Sequence, residues 1–405
     1  MDEGKLLETL GNWVTEKELV ELTQKLVSIP SHWEVPTLEI EVVEFLEEYF
    51  QETGLPYELQ TVEGPRSNII ARLPGTGGGR SLAFNGHLDT VPPYTMEAPF
   101  GAALRDNRIH GRGTVDMKGP IAAMIMAMLA FHRSGIQLKG DLYFTGVLAE
   151  ETNSDGSEAL IESGFKTDGA IVGEPSAGEY AIGHRGLEWL AVEIIGKSAH
   201  GGVPEAGINA IVNAAKFIMR VQEKVVPRLK GIQNPWMGPS VMNFGRIEGG
   251  TQPSTVADRC TILLDRRYTP AEELADVLSE YEEILEELKR EDPKFHGVLR
   301  RMESSLMKKY DHVPMETSPE DPLVHCVKAS LEAVRGVPPG LTTRRGWTDA
   351  AILNYYGKIA TVVYGPGDIS RSHNPHEYIT VEELVEGFQV YALIAAKYCQ
   401  LAQAL

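Results

Sequence analysis

The chain has 405 residues, too many for one ordinary hydrophobic core, so two domains are expected. Hydrophobic residues make up 42% and charged residues 23%, the balance of a globular fold and not of a disordered or fibrous chain. The formal net charge of −19 repels nucleic acid and anionic membrane, and leaves any anionic ligand to a local basic group. Cys260, Cys326 and Cys399 form no C-x-x-C pair, so neither a disulfide framework nor a thiolate zinc site is favoured. The first 16 residues lack the basic and then apolar order of a secretory leader, and no apolar run reaches 18 residues. These features read as a soluble cytoplasmic protein with reduced thiols.

Residues 17–53 carry helical periodicity through Leu19, Leu22, Leu26 and Val27, then Val42, Val43, Leu46 and Phe50. Residues 67–73 and 81–84 look like strands. The Gly-rich turn Thr76-Gly77-Gly78-Gly79 is not a phosphate loop, because no helix-opening Gly-Lys-Ser/Thr follows. Residues 120–131 are apolar on nearly every face, which predicts a buried helix opened by Pro120. Residues 141–148 and 169–172 are strand-like. Strands alternating with helices predict an α/β sheet covered on both sides. The pattern changes near residue 184. Residues 187–195 alternate like a half-exposed antiparallel strand, 209–224 form an amphipathic helix, 241–247 and 260–265 are strands, and 271–289 form an acidic helix. From about residue 320 the first pattern resumes, with helix 323–334, a helix starting near Thr348, strand 359–364 and a final helix 381–404. One α/β domain interrupted by a smaller α+β domain is therefore expected, as 1–183, 184–312 and 313–405.

Five scattered segments each carry a ligand-grade residue: Gly86-His87-Leu88-Asp89, Gly111-Arg112-Gly113-Thr114-Val115-Asp116, Ala149-Glu150-Glu151, Gly173-Glu174-Pro175 and Ser372-His373-Asn374-Pro375. Two imidazoles and several carboxylates suit zinc or a similar first-row metal. The set exceeds what one tetrahedral ion with an open water site needs, which points to two metals sharing a carboxylate. His87 and Asp89 leave a strand end on the same side, so Asp89 can orient the ring; a turn cap beside a surface His is the alternative. Asp116 is the natural bridge, against an ordinary helix N-cap. The intervening Met117-Lys118-Gly119-Pro120 delays the helix and weakens the cap reading. Glu150 and Glu151 point opposite ways in extended chain and so take different roles. Each of Glu150, Glu151 and Glu174 taken alone also reads as a solvated loop carboxylate. His376 is an alternative to His373. The other histidines outside the insert's lid motif, among them His184 and His312, read as surface or core.

The joint order H-x-D, G-R-G-x-x-D, E-E, G-E-P and the H of H-x-x-x-E resembles the M20 family of co-catalytic zinc hydrolases, the group of acetylornithine deacetylase, succinyl-diaminopimelate desuccinylase, aminoacylase and glutamate carboxypeptidase. The resemblance runs from about residue 17 to the C-terminus. It implies a zinc-peptidase-like α/β catalytic domain and an α+β dimerisation or lid domain. It implies two divalent ions, Zn2+ with Co2+ or Mn2+ as alternatives. His87 and Glu174 would complete one, Glu151 and His373 the other, with Asp116 between them. Glu150 would be the general base and Asp89 the partner of His87. A cis peptide after Asp116 belongs to the same pattern. In the insert, Gly196-Lys197-Ser198-Ala199-His200-Gly201-Gly202 matches a motif whose His reaches a substrate carbonyl, often from the neighbouring subunit of a homodimer; a surface turn is the alternative for His200. Arg267 resembles the arginine that pairs with a substrate carboxylate, against a structural pair with Asp265. Thr348 and Asp349 match a substrate-side motif, or cap a helix.

Two departures stand out. Ser254 and Ala257 replace an Asn and a Pro that the family often has after the Gly249-Gly250 turn, which puts one substrate contact in doubt. Trp347 sits where glycine is common, which suggests an apolar or narrowed pocket wall. The implied substrate is an N-acyl amino acid or a short peptide, cleaved at its amide by a deacylase or by a dipeptidase or carboxypeptidase. A metal-bound scaffold without catalysis would have lost a ligand or the base, and all six positions are intact.

Overall fold

A computed structural model describes residues 2–402. The chain divides by its internal contacts into two compact units. The first holds residues up to Gly183, Glu316–Thr343 and Thr348 onward; the second holds His184–Met315 and Arg344–Trp347.

The first unit is built on a nine-stranded sheet. At its centre the strands Leu142–Val147, Leu82–His87, Gly169–Val172 and Ala360–Val363 lie parallel and in that order. Leu82–His87 and Gly169–Val172 are buried at every position, which explains their mostly small and apolar residues; Asn85, the polar exception within the first, donates to Thr145 Oγ1 at 2.9 Å. Arg66–Leu73 and Tyr57–Glu63 extend one edge antiparallel. Two helices supply much of the cover. Lys118–Ser134 is buried along 14 consecutive residues, from Lys118 to Phe131. Val381–Tyr398 packs in the same core and opens on a capping box between Thr380 and Glu383. That final helix is shorter than expected; Ala404, the expected end, lies outside the described residues. The helix expected from Pro120 begins at Lys118, two residues after Asp116, so nothing delays it. Its N-cap position is Met117, without a side-chain cap bond. The helix expected near Thr348 is mainly a short π-helix, Ile352–Tyr356.

A small three-stranded sheet joins Ala103–Arg105, Arg108–His110 and Tyr378–Thr380, pairing Tyr378 with His110. It ties the chain just after His373 to the chain just before Asp116.

The second unit is a four-stranded antiparallel sheet in the order Val241–Gly249, Arg259–Tyr268, Gly186–Ile195, Gly297–Arg301. Burial alternates along Gly186–Ile195 and Arg259–Tyr268. The buried residues Leu190, Val192, Ile194, Ile262 and Leu264 share a core with helices Ala210–Gly231 and Leu274–Glu291. Residues 313–315 and 344–347, expected in the last part of the first domain, group with this unit. The reason is local: the Trp347 indole N–H donates to the Val313 carbonyl at 2.9 Å, and its ring meets His312 edge-on at 4.5 Å.

Candidate metal centre

In open parallel sheets, ligands bind beyond the carboxyl ends of the strands. Here four neighbouring strands end at His87, Val147, Val172 and Val363. The residues that follow them are Asp89, the Glu150-Glu151 pair, Glu174 and, after a longer loop, His373. Asp116 arrives separately, on the turn that opens the buried helix, and its peptide bond to Met117 is cis.

Besides a grouping of His87 with Glu150 and Glu151, the structure brings His87, Asp116 and Glu174 into one group of donor atoms, and Asp116, Glu151 and His373 into another. Asp116 serves both. Its Oδ1 lies 3.1 Å from His87 Nε2 and its Oδ2 lies 3.3 Å from His373 Nε2. Glu174 is 3.6 Å from His87 Nε2, and Glu151 is 3.0 Å from His373 Nε2. Donors at about 2.05 Å from a tetrahedral zinc stand roughly 3.3 Å apart, so these spacings fit two such ions sharing a carboxylate. The first group is buried, whereas the His373 side chain is 49% exposed. His376 belongs to neither group.

The electrostatics call for cationic charge. Burial and then repulsion from Glu174, with Glu151 and Asp349 adding to it, push Glu150 well above the usual carboxylate range. Burial, opposed by a hydrogen bond from His373, leaves Glu151 at about 7. Burial would raise Asp116 too, but hydrogen bonds from His373 and His87 hold it well below the ordinary value. Burial acts to lower His87, yet Asp116 and Asp89 raise it well above normal. Hydrogen bonds to Asp116 and Glu151 carry His373 to about 10. Each imidazole thus keeps a proton facing a carboxylate, at a position a divalent ion would take instead.

Asp89 stands beside the His87 ring and also clamps the next loop. His87 Nδ1 lies 3.0 Å from the backbone carbonyl of Asp89 and 3.5 Å from its carboxylate. That carboxylate accepts the backbone N–H groups of Glu150 at 3.1 Å and Glu151 at 3.0 Å. The loop begins at Ala149 in a left-handed conformation and folds back through three backbone bonds to the Ala149 carbonyl. Asp349 is buried, and accepts from Ser157 Oγ at 2.7 Å, at the start of helix Asp155–Glu162. Burial raises Asp349 to about 6. Thr348 is buried beside it, and its Oγ1 accepts weakly from Ala350 N at 3.3 Å.

His200, Ser254 and Arg267 lie in the second unit. His200 and Ser254 come together because Gly201 N–H donates to the Ser254 carbonyl at 2.8 Å and His200 bridges to Thr255. His200 is exposed and its Nδ1 accepts from Gly202 N–H at 3.1 Å, which puts the proton of the neutral ring on Nε2. Arg267 donates its Nε–H to Asp265 at 2.8 Å. Glu377 and Arg112, which the sequence offered only as parts of motifs, are fully buried against the Asp116 loop.

Known proteins resemble the chain throughout its length. Acetylornithine deacetylase of Myxococcus xanthus is 31% identical over 345 residues, covering 82% of this chain and 84% of that protein. N-formyl-4-amino-5-aminomethyl-2-methylpyrimidine deformylase of Halalkalibacterium halodurans is 28% identical and covers 96% of each. Among solved structures, aminopeptidase PepT of Bacillus cereus superposes with a TM-score of 0.80 at 25% identity, over 96% of this chain and 100% of that one. The family description "Peptidase family M20/M25/M40" matches residues 83–397, so the chain belongs to that family and is a hydrolase of amide bonds.

Proposed function

We propose that the chain is a metal-dependent deacylase that cleaves the amide bond of small N-acyl amino acids. The observation that carries this reading is the division of Asp116, one oxygen toward His87 and the other toward His373. His87, Asp116 and Glu174 would hold one divalent ion, and Asp116, Glu151 and His373 the other. The nitrogen and oxygen donors favour Zn2+, with Co2+ or Mn2+ as alternatives. Such ions supply Lewis acidity to the amide carbonyl and make a water acidic at neutral pH.

Glu150 takes the proton of the attacking water and hands it to the leaving amine. Asp89 fixes Glu150 for that transfer through the backbone N–H it accepts. His200 presents Nε2–H to the charge developing on the carbonyl oxygen. Arg267, oriented at Nε by Asp265, pairs with the carboxylate of the amino-acid half. Ser254, Thr348 and Asp349 line the substrate side in this reading. The two curated relatives, named as a deacetylase and a deformylase, support a small acyl group. The likeness to an aminopeptidase supports the second reading, a di- or tripeptide substrate.

A homodimer through the second unit is part of the proposal. Its support is the edge strand Val241–Gly249, with Ile247 53% exposed, and the exposed Ile211, Val212 and Met219 of the adjoining helix. No helix among the described residues is long and apolar enough to cross a membrane. The three free cysteines support a reducing, cytoplasmic setting.

The test is turnover on N-acetyl, N-formyl and N-succinyl amino acids and on dipeptides, with Zn2+, Co2+ or Mn2+ and after chelation. Turnover of an acyl substrate that chelation abolishes is expected. Glu150→Gln should keep its metals and lose roughly 10²–10⁴-fold in kcat. Near-normal turnover by that variant would remove Glu150 as the base.

A further inference from the structure

Glu377 lies four residues beyond His373 and is completely buried, as is Arg112 at 1% exposure. The Glu377 carboxylate is fully engaged. Its Oε1 accepts Val115 N–H at 2.9 Å and Asp116 N–H at 3.2 Å, and its Oε2 accepts from the Arg112 guanidinium. The backbone joins the same contact. Gly111 N–H donates to the Glu377 carbonyl at 3.2 Å, and Glu377 N–H donates to the Asn374 carbonyl at 3.3 Å. Arg112 is itself anchored, by its backbone N–H to the Pro99 carbonyl at 2.8 Å and by Nε–H to the Pro92 carbonyl at 3.3 Å. Glu377 appears in neither donor group, and both its oxygens are committed to hydrogen bonds.

A buried ion pair is a poor source of net stability, because desolvation offsets the Coulombic gain. What this pair supplies is geometry. Backbone N–H groups have no side chain to place them, so an acceptor of fixed position sets the turn that aims the Asp116 carboxylate. The same residue is tied by three peptide units to the turn that aims His373.

We propose that Glu377 is a positioning residue which, through one buried carboxylate, aligns Asp116 and His373 as two of the three ligands of the more exposed cation. This rests on the reading of Asp116, Glu151 and His373 as that cation's ligands. Glu377 differs from Asp89 in what it aligns: Asp89 sets the Glu150-Glu151 loop, whereas Glu377 couples the Asp116 turn to the His373 turn. Glu377→Gln leaves an amide that cannot accept from both the backbone and Arg112. Glu377→Asp keeps the charge and withdraws it by one methylene. In both variants the His87, Asp116 and Glu174 set keeps its other two ligands in place, so the two cations respond unequally.

The experiment titrates Zn2+ into metal-stripped wild type, Glu377→Gln and Glu377→Asp against a chromophoric chelator, with circular dichroism to establish that each is folded. Wild type should bind two ions. In the folded variants one site should stay within about threefold while the other weakens roughly 10–100-fold, the usual effect of losing a partner behind a ligand. A second measurement needs no variant. Backbone amide exchange at Val115 and Asp116 in stripped wild type should remain slow, because Glu377 holds these N–H groups without help from a cation. Equal weakening of both sites, no weakening at either, or fast exchange at the two amides overturns the proposal. Wild type that binds fewer than two ions would instead sink the metal-centre reading itself.

Discussion

His312 shows how a single ring makes the fold sensitive to acid. It is 7% exposed, against Trp347. Burial first, then the charge of Arg301, lower its pKa from 6.5 to about 4, with Asp311 opposing and Arg267 assisting. Between those two values the unfolded chain binds a proton that the folded chain refuses. The stability tied to neutral His312 is therefore present above pH 6.5 and is lost as pH falls toward about 4. From about pH 7.5 to pH 5 that amounts to about 2 kcal/mol. Urea unfolding of wild type and of His312→Asn across this range should show a shallower acid slope in the variant. Parallel slopes would mean that other groups carry the acid sensitivity. Residues of this kind were only partly legible. His87, Asp116, Glu150, Glu151, Glu174 and His373 announced themselves because each follows a Gly-bearing turn or an apolar run. Glu377 and Arg112 showed only as parts of the H-x-x-x-E and G-R-G-x-x-D motifs and Ser157 not at all, because their partners are backbone or another side chain, and a residue's partner cannot be read from its place in the sequence. The role of Asp89 was half visible: its place beside His87 could be read, its grip on two backbone N–H groups could not.

At the scale of elements, the opening of helix Lys118–Ser134 is the most constrained turn near the site. Alanine normally stabilises a helix over glycine by about 1 kcal/mol. At Gly119 the sign should reverse. A Cβ there would lie 2.3 Å from the Thr114 carbonyl oxygen, a backbone atom that cannot swing aside, and near Ile379 and Leu384 as well. Gly119→Ala should cost about 1–3 kcal/mol, the usual penalty of overpacking, and should shift the Asp116 turn with it. A lowered unfolding midpoint together with weaker Zn2+ binding is the expected result; a stabilised variant would show that the turn is looser than its contacts imply. Long elements were readable because burial imposes a period on them, as in the alternating strand Gly186–Ile195 and the wholly apolar helix from Pro120 to Phe131. Strands of three residues, such as Arg108–His110 and Tyr378–Thr380, carry no period. Pairing across more than 260 residues of chain makes them, so tertiary context and not propensity decides.

For the whole molecule, the interruption of one pattern by another marked the inserted unit. The return of residues 344–347 to that unit could not be read, because it depends on Trp347 meeting His312 and Val313 in space. The unpaired edge of the inserted sheet raises the last question. A strand with free N–H and C=O groups invites a partner, and charged residues commonly guard such an edge. Here Arg246 and Glu248 flank Ile247 and carry opposite signs. In a twofold, antiparallel pairing centred on Ile247, Arg246 of one copy would face Glu248 of the other, and the two isoleucines would meet. Arg246 and Glu248 already pair within one chain, and the same two charges would be complementary across such a contact, which favours this register over a shifted one. Ile247→Lys sets two cations face to face at the centre of that contact, at a side chain that is 53% exposed although it stands opposite the buried Ile262. Light scattering should give a mass near twice 44.5 kDa for wild type and near 44.5 kDa for the variant, with unchanged circular dichroism. A wild type of single mass, or a variant that still associates, would place the subunit contact elsewhere or nowhere.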